Sequence, residues 1–83
     1  MANVTFDYNK LRGRIVEKFG TQTAFAEAMG MSNGSVSGKL ASKSYFSTDE
    51  IVKACELLEI QTNEVSAYFF TREVEKTQLR KED

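Results

Sequence analysis

Residues Thr21–Leu40 read TQTAFAEAMGMSNGSVSGKL, a stretch that two short helices meeting at a tight corner explain residue by residue. Thr21 has a hydroxyl able to cap a helix over Gln22–Met29, whose inward residues are Phe25, Ala26 and Met29. Gly30 ends it, because the turn needs a residue comfortable at positive φ. Ser32 caps a second helix from Asn33 to about Ala41, with Val36 and Leu40 inward at i and i+4. Helices joined by so few residues and crossing steeply bring their backbones close. Ala26 is the small residue at that crossing, and Val36 packs into it from the other side. Phe25, Met29, Met31 and Leu40 complete an apolar set. Asn33, Gly34, Ser37 and Gly38 are left on the outer face, all small or polar. A face that slim fits a DNA major groove, which is about 12 Å wide.

The flanking sequence is also helical. A first helix is predicted over Tyr8–Phe19, with Asp7 as N-cap and Phe6 stapled to Leu11. Leu11, Ile15 and Phe19 recur every four residues, and Gly20 stops the helix. Beyond the corner, Ser42–Tyr45 reads as a loop. Ser47 and Glu50 form a capping box, with Phe46 and Ile51 as staple, opening a helix that continues through Val52, Ala54, Cys55 and Leu58. Thr62 or Asn63 opens a short fifth helix reaching Tyr68 or Phe70. The expected architecture is all-α: one compact five-helix domain over residues 1–70. A polar tail follows at 71–83, either frayed or, over Thr71–Thr77, ordered as a strand or helical extension in a dimer.

Composition bounds the chemistry. Eighty-three residues suit one domain, and 41% hydrophobic with 28% charged residues is an ordinary globular balance. No proline interrupts a helix. No histidine is present, which removes Ser-His and Cys-His catalysis and the usual transition-metal sites. Cys55 is the only cysteine, so neither an internal disulfide nor a thiolate zinc site can form. No apolar run is long enough for a bilayer, and no signal peptide opens the chain. A cytoplasmic, non-enzymatic protein without cofactor, metal or evident small-molecule ligand is expected. The net charge of −1 hides an asymmetry. Residues 1–46 carry Lys10, Arg12, Arg14, Lys18, Lys39 and Lys43 against three acids, a net +3, whereas residues 47–83 carry a net −4. A local positive excess attracts phosphate over about 8–10 Å whatever the overall sign.

With Thr21-Gln22, Phe25-Ala26, Met29-Gly30-Met31-Ser32, Val36 and Ser37 at these spacings, the chain resembles the Cro and phage-repressor (XRE-like) family of helix-turn-helix proteins. The flanking helices extend the likeness over residues 8–70, and YNKLRGRIVEKFG and DEIVKACELLEI also resemble small phage-encoded proteins. The resemblance implies a lambda-repressor-like fold and a transcriptional regulator, in all expectation a repressor, bound to double-stranded operator DNA. It places Asn33, Gly34, Ser37 and Gly38 at the bases, with Asn33 able to pair with adenine N6 and N7. Phosphate contacts fall to Thr21 and Gln22 at a helix N-terminus, and to Lys39, Ser42, Lys43, Ser44 and Tyr45. The family commonly has an apolar residue where Lys39 stands and an acid where Leu40 stands; here Leu40 must anchor, which frees Lys39 for phosphate. One recognition helix reads few base pairs, so a homodimer on DNA is expected, with residues 65–79 as its contact.

A rival reading uses the same fold differently. Tyr68, Phe69 and Phe70 form an aromatic cluster able to dock a partner helix, as in an antirepressor that binds another regulator. Core packing is the ordinary role of such residues. A small enzyme is the remaining alternative, and no catalytic pair stands out.

Overall fold

Three hydroxyls start three helices. Thr21 Oγ1 accepts from Ala24 N at 3.1 Å, Ser32 Oγ from Ser35 N at 3.0 Å, and Ser47 Oγ from Glu50 N at 3.1 Å. Glu50 Oε1 accepts in return from Ser47 N at 2.8 Å, closing the capping box. Each satisfies an amide that no helical carbonyl reaches, worth about 1 kcal/mol. The computed structural model describes residues 5–73. They form α1 (Asn9–Phe19), α2 (Gln22–Met29), α3 (Asn33–Leu40), α4 (Thr48–Leu58) and α5 (Val65–Phe69), the last preceded by a 3-10 turn over Thr62–Glu64. Among the described residues the fold is all-helical, as expected.

Leu11 and Ile15 of α1, Phe25 and Ala26 of α2, Val36 of α3, Ala54 and Leu58 of α4 and Phe69 of α5 are each at most 2% exposed. One core therefore joins all five helices. Burying each of its larger side chains contributes about 1.5–3 kcal/mol. Gly20 and Gly30 hold φ of +83° and +75°, where a side chain would be strained.

Two local expectations are corrected. α1 begins at Asn9 with Tyr8 in the cap position; Asp7 stands one residue earlier, its Oδ1 accepting from Asn9 N at 2.9 Å. Phe6 accordingly packs on the Tyr8, Tyr45 and Phe70 rings, at centroid distances of 6.1, 5.9 and 6.0 Å. α3 stops at Leu40, with Ala41 outside it. Residues 71–73 run back beside the N-terminal segment. Asp7 N donates to Thr71 O and Glu73 N to Thr5 O, both at 2.8 Å, an isolated antiparallel bridge between Phe6 and Arg72. The rest of the expected tail, 74–83, lies outside the described residues.

The unforeseen feature is how two arginines close helix ends. Arg14 Nε donates to Leu58 O at 2.9 Å and its NH2 group to Glu59 O at 3.2 Å, at the C-terminus of α4. Arg12 does the same for Leu40 O of α3, at 3.3 Å. Cations suit the carbonyl end of a helix dipole. Glu59 takes a left-handed φ of +57° to end α4 where no glycine is available.

Candidate functional site

The corner between α2 and α3 is built as its sequence requires. Ala26 is 1% and Val36 0% exposed, and Phe25, Met29 and Leu40 are buried around them. Met31 N and Gly30 N donate to Ala26 O and Glu27 O, closing the turn. Leu40 is buried on the inner face of α3. α3 is thereby left with Asn33, Gly34 and Ser37 exposed and Gly38 half-buried.

These residues are not idle. Gln22 Nε2 donates to Asn33 Oδ1 at 3.0 Å and to Ser37 Oγ at 2.7 Å. The expected phosphate ligand and the two expected base readers thus form one exposed network across the corner. Any duplex in contact with Asn33 would have to share or displace these bonds, worth about 1 kcal/mol each.

The expected phosphate contacts separate. Thr21 and Gln22 stand at the first turn of α2, Thr21 exposed and its hydroxyl oxygen already capping. Lys43 and Ser44 are exposed beyond α3. Ser42 is a correction: it is buried at 8% exposure, adopts φ of +62°, and its Oγ accepts from Phe6 N at 3.1 Å. Lys39 is another. Its ammonium donates to Tyr45 O at 3.0 Å and lies 3.5 Å from Glu50 Oε1, so the lysine ties the loop to α4 instead of standing free. The cap bond from Ser47 N, helped by Lys39, holds the Glu50 carboxyl below its ordinary pKa. Tyr45 belongs to another surface, its ring edge-on to Phe6.

The cations of the N-terminal half are similarly placed. Arg12 and Arg14 hold helix ends, Arg14 also pairs with Glu17 at 3.1 Å, and Lys18 pairs with Glu59 at 2.9 Å. That pairing lowers the pKa of the exposed Glu59. Lys10 lies 4.9 Å above the Tyr68 ring. Lys43 is the one of the six with no partner among the described residues. The sequence excess of +3 therefore does not become a free basic face beside α3.

A second surface is apolar. Phe6, Tyr8, Tyr45, Phe46, Ile51, Phe69 and Phe70 line a groove of about 290 Å³. Phe46 lies edge-on to both Tyr8 and Phe69 at its floor, and burial raises the Tyr8 hydroxyl pKa. Phe70 and Tyr45 stay 49% and 43% exposed at its rim. Of the aromatic run marked in the sequence, Tyr68 and Phe69 are core and Phe70 alone is presented. Of the dimer contact expected over 65–79, Tyr68 and Phe69 are interior, Val65 is half-buried and the other residues up to Glu73 are exposed; 74–79 lie outside the described residues.

Among the described residues no helix is long and apolar enough to cross a membrane, and no cluster of three His, Cys, Asp or Glu could hold a metal. No curated protein matches the chain. It is similar to the modulator of repression (MOR) of the temperate bacteriophage TP901-1 from Lactococcus lactis, known from a solution structure. The two share 45% identity with a TM-score of 0.72, covering 83% of this chain and 93% of that one. Residues 4–72 match the family described as "Protein of unknown function (DUF739)", and the chain belongs to that family.

Proposed function

We propose that the chain is a phage regulator that modulates repression by binding a partner repressor through its aromatic groove, with no enzymatic activity of its own. The placement of the cations carries this reading. Five of the six in the N-terminal half are engaged within the molecule, so α3 presents an amide, a hydroxyl and two glycines with little positive field. Non-specific DNA affinity comes almost entirely from cations set against phosphates. The groove offers the opposite chemistry: exposed Phe70 and Tyr45 over a buried aromatic floor, the kind of anchor that dominates protein interfaces. The likeness to a modulator of repression supports the same reading.

Operator binding is the second reading, favoured by the exposure of Asn33 and Ser37 on a well-formed second helix of the corner. One pair of titrations separates the two. The chain is titrated against the purified repressor of the phage genome that encodes it, by calorimetry, and against pooled random duplexes, by gel shift. The proposal expects a stoichiometric complex with the repressor and no enriched duplex. Enrichment of a defined site without repressor binding overturns it in favour of the operator reading.

A further inference from the structure

α4 borders a second groove, distinct from the aromatic one. Ile51, Val52, Cys55 and Glu56 of α4 form one wall; Ile60, Thr62 and Val65 form the other, in a volume of about 370 Å³. Val52 is 52% exposed, although α4 is otherwise amphipathic with Ala54 and Leu58 turned inward. Nothing among the described residues covers this strip. Ile51 also lines the aromatic groove, so the two apolar surfaces meet at one side chain.

Among the described residues, acids outnumber cations around the strip. Glu56 is in the wall with no ion pair among the described residues, Asp49 is exposed one turn ahead of Val52, and Glu64 falls between the lining residues Thr62 and Val65. Glu64 Oε1 accepts only from Gln61 N. The one cation on α4, Lys53, stands about 100° around the helix from Val52 and about 60° from Glu56, at the outer edge of the strip. A second copy packed here about a two-fold axis would set one net acidic face against another, which is unfavourable. A partner with lysines or arginines around an apolar contact meets both features of the strip.

We propose that this α4 groove docks a basic, partly apolar surface of the same partner repressor, extending the aromatic contact across Ile51. The inference rests on the function proposed above and adds the second half of its interface. A repressor must carry cations to hold phosphate, so it has surfaces of the required chemistry. Stable complexes bury about 1,200–2,000 Å² in total, more than a groove of a few side chains supplies, and two grooves joined at Ile51 supply it better than one.

Cys55, the only cysteine, reports on the groove without any substitution. Burial raises its thiol pKa, so maleimide labelling is followed at mildly alkaline pH. Saturating repressor is expected to slow labelling of the wild-type chain at least about 10-fold. Glu56→Lys is expected to weaken repressor binding about 10-fold or more, while Glu27→Lys on α2, outside both grooves, stays within about twofold. Both positions are exposed, and thermal melts of each variant confirm folding. A complex that forms with Cys55 labelled at its free rate, or with Glu56→Lys binding unchanged, overturns the groove assignment and leaves the function standing. Protection that grows with the chain's own concentration, without repressor, assigns the groove to a second copy and also overturns it. No complex with the wild-type chain refutes the function and this inference together.

Discussion

The α2–α3 corner and the aromatic end of the molecule are built from the same kind of short helix, yet they present opposite surfaces. At the corner the apolar residues Phe25, Ala26 and Val36 are at most 1% exposed, and what remains outside is polar, slender and bonded to itself through Gln22. At the aromatic end, burial is incomplete. Phe6 and Phe46 draw Tyr8, Tyr45, Phe69 and Phe70 into edge-on contacts, and the outer two rings stay in water. A helix-turn-helix shape and a binding chemistry are therefore separable properties. The shape follows from small residues at a crossing; affinity depends on which side chains are left with something to give.

Removing an outer ring gives the largest effect expected. Phe70→Ala should cost about 2 kcal/mol of repressor binding, roughly 30-fold in Kd by calorimetry, as a central aromatic anchor does. Asn33→Ala should leave that Kd within about twofold. Equal losses from the two variants would erase the functional contrast between the surfaces.

The next effect concerns the corner's architecture alone. A Cβ on Gly30 would meet nothing within 4 Å, but φ of +75° is strained for any side chain. Gly30→Ala should therefore destabilise the chain by about 1–2 kcal/mol, measured by urea unfolding, with the complex still forming. A smaller and opposite change is expected on the face of α3. Gly34 and Gly38 have helical backbone, and added Cβ atoms come no nearer than 4.0 Å to Ser32 Oγ and to no other atom. Gly34→Ala and Gly38→Ala should each stabilise by roughly 0.5–1 kcal/mol and spare repressor binding. Retained stability with lost activity would mean that this face needs close backbone approach, as a DNA reader does.

The smallest effect is a titration at Glu50. Its pKa is lowered in the folded chain, so its stabilisation is complete above the ordinary glutamate value of 4.5 and is lost as pH falls through the lowered folded value. The difference in melting temperature between wild type and Glu50→Gln should be present at neutral pH and vanish in acid, corresponding to less than about 1 kcal/mol. A difference independent of pH would show that the charge of Glu50 contributes nothing.

Interactions between near neighbours in sequence were readable in advance. Thr21, Ser32 and Ser47 cap where their spacing to the next helix placed them, Glu50 completes its box, and Gly20 and Gly30 take the positive φ their positions demanded. Asp7 is the instructive exception: its carboxylate finds a nearby amide as expected, but buried Tyr8 takes the cap position one residue later. The candidate site was legible as a set of exposed positions on α3. Its network was not, because Gln22 and Ser37 are fifteen residues apart and an amide can turn towards solvent or towards a neighbour.

From the sequence alone came the five helices, the caps of α2, α3 and α4, the tight corner and the residues it turns outward, since each depends on contacts within a few residues. Tertiary packing decided where the charges and rings went. Arg12 and Arg14 close helices 28 and 44 residues away, Ser42 turns inward to serve Phe6, and Phe6 pairs with Arg72 across almost the whole described chain. The physical reason is that flexible cations and aromatic rings have many possible partners. Only the folded arrangement determines which carbonyl, carboxylate or ring lies within reach.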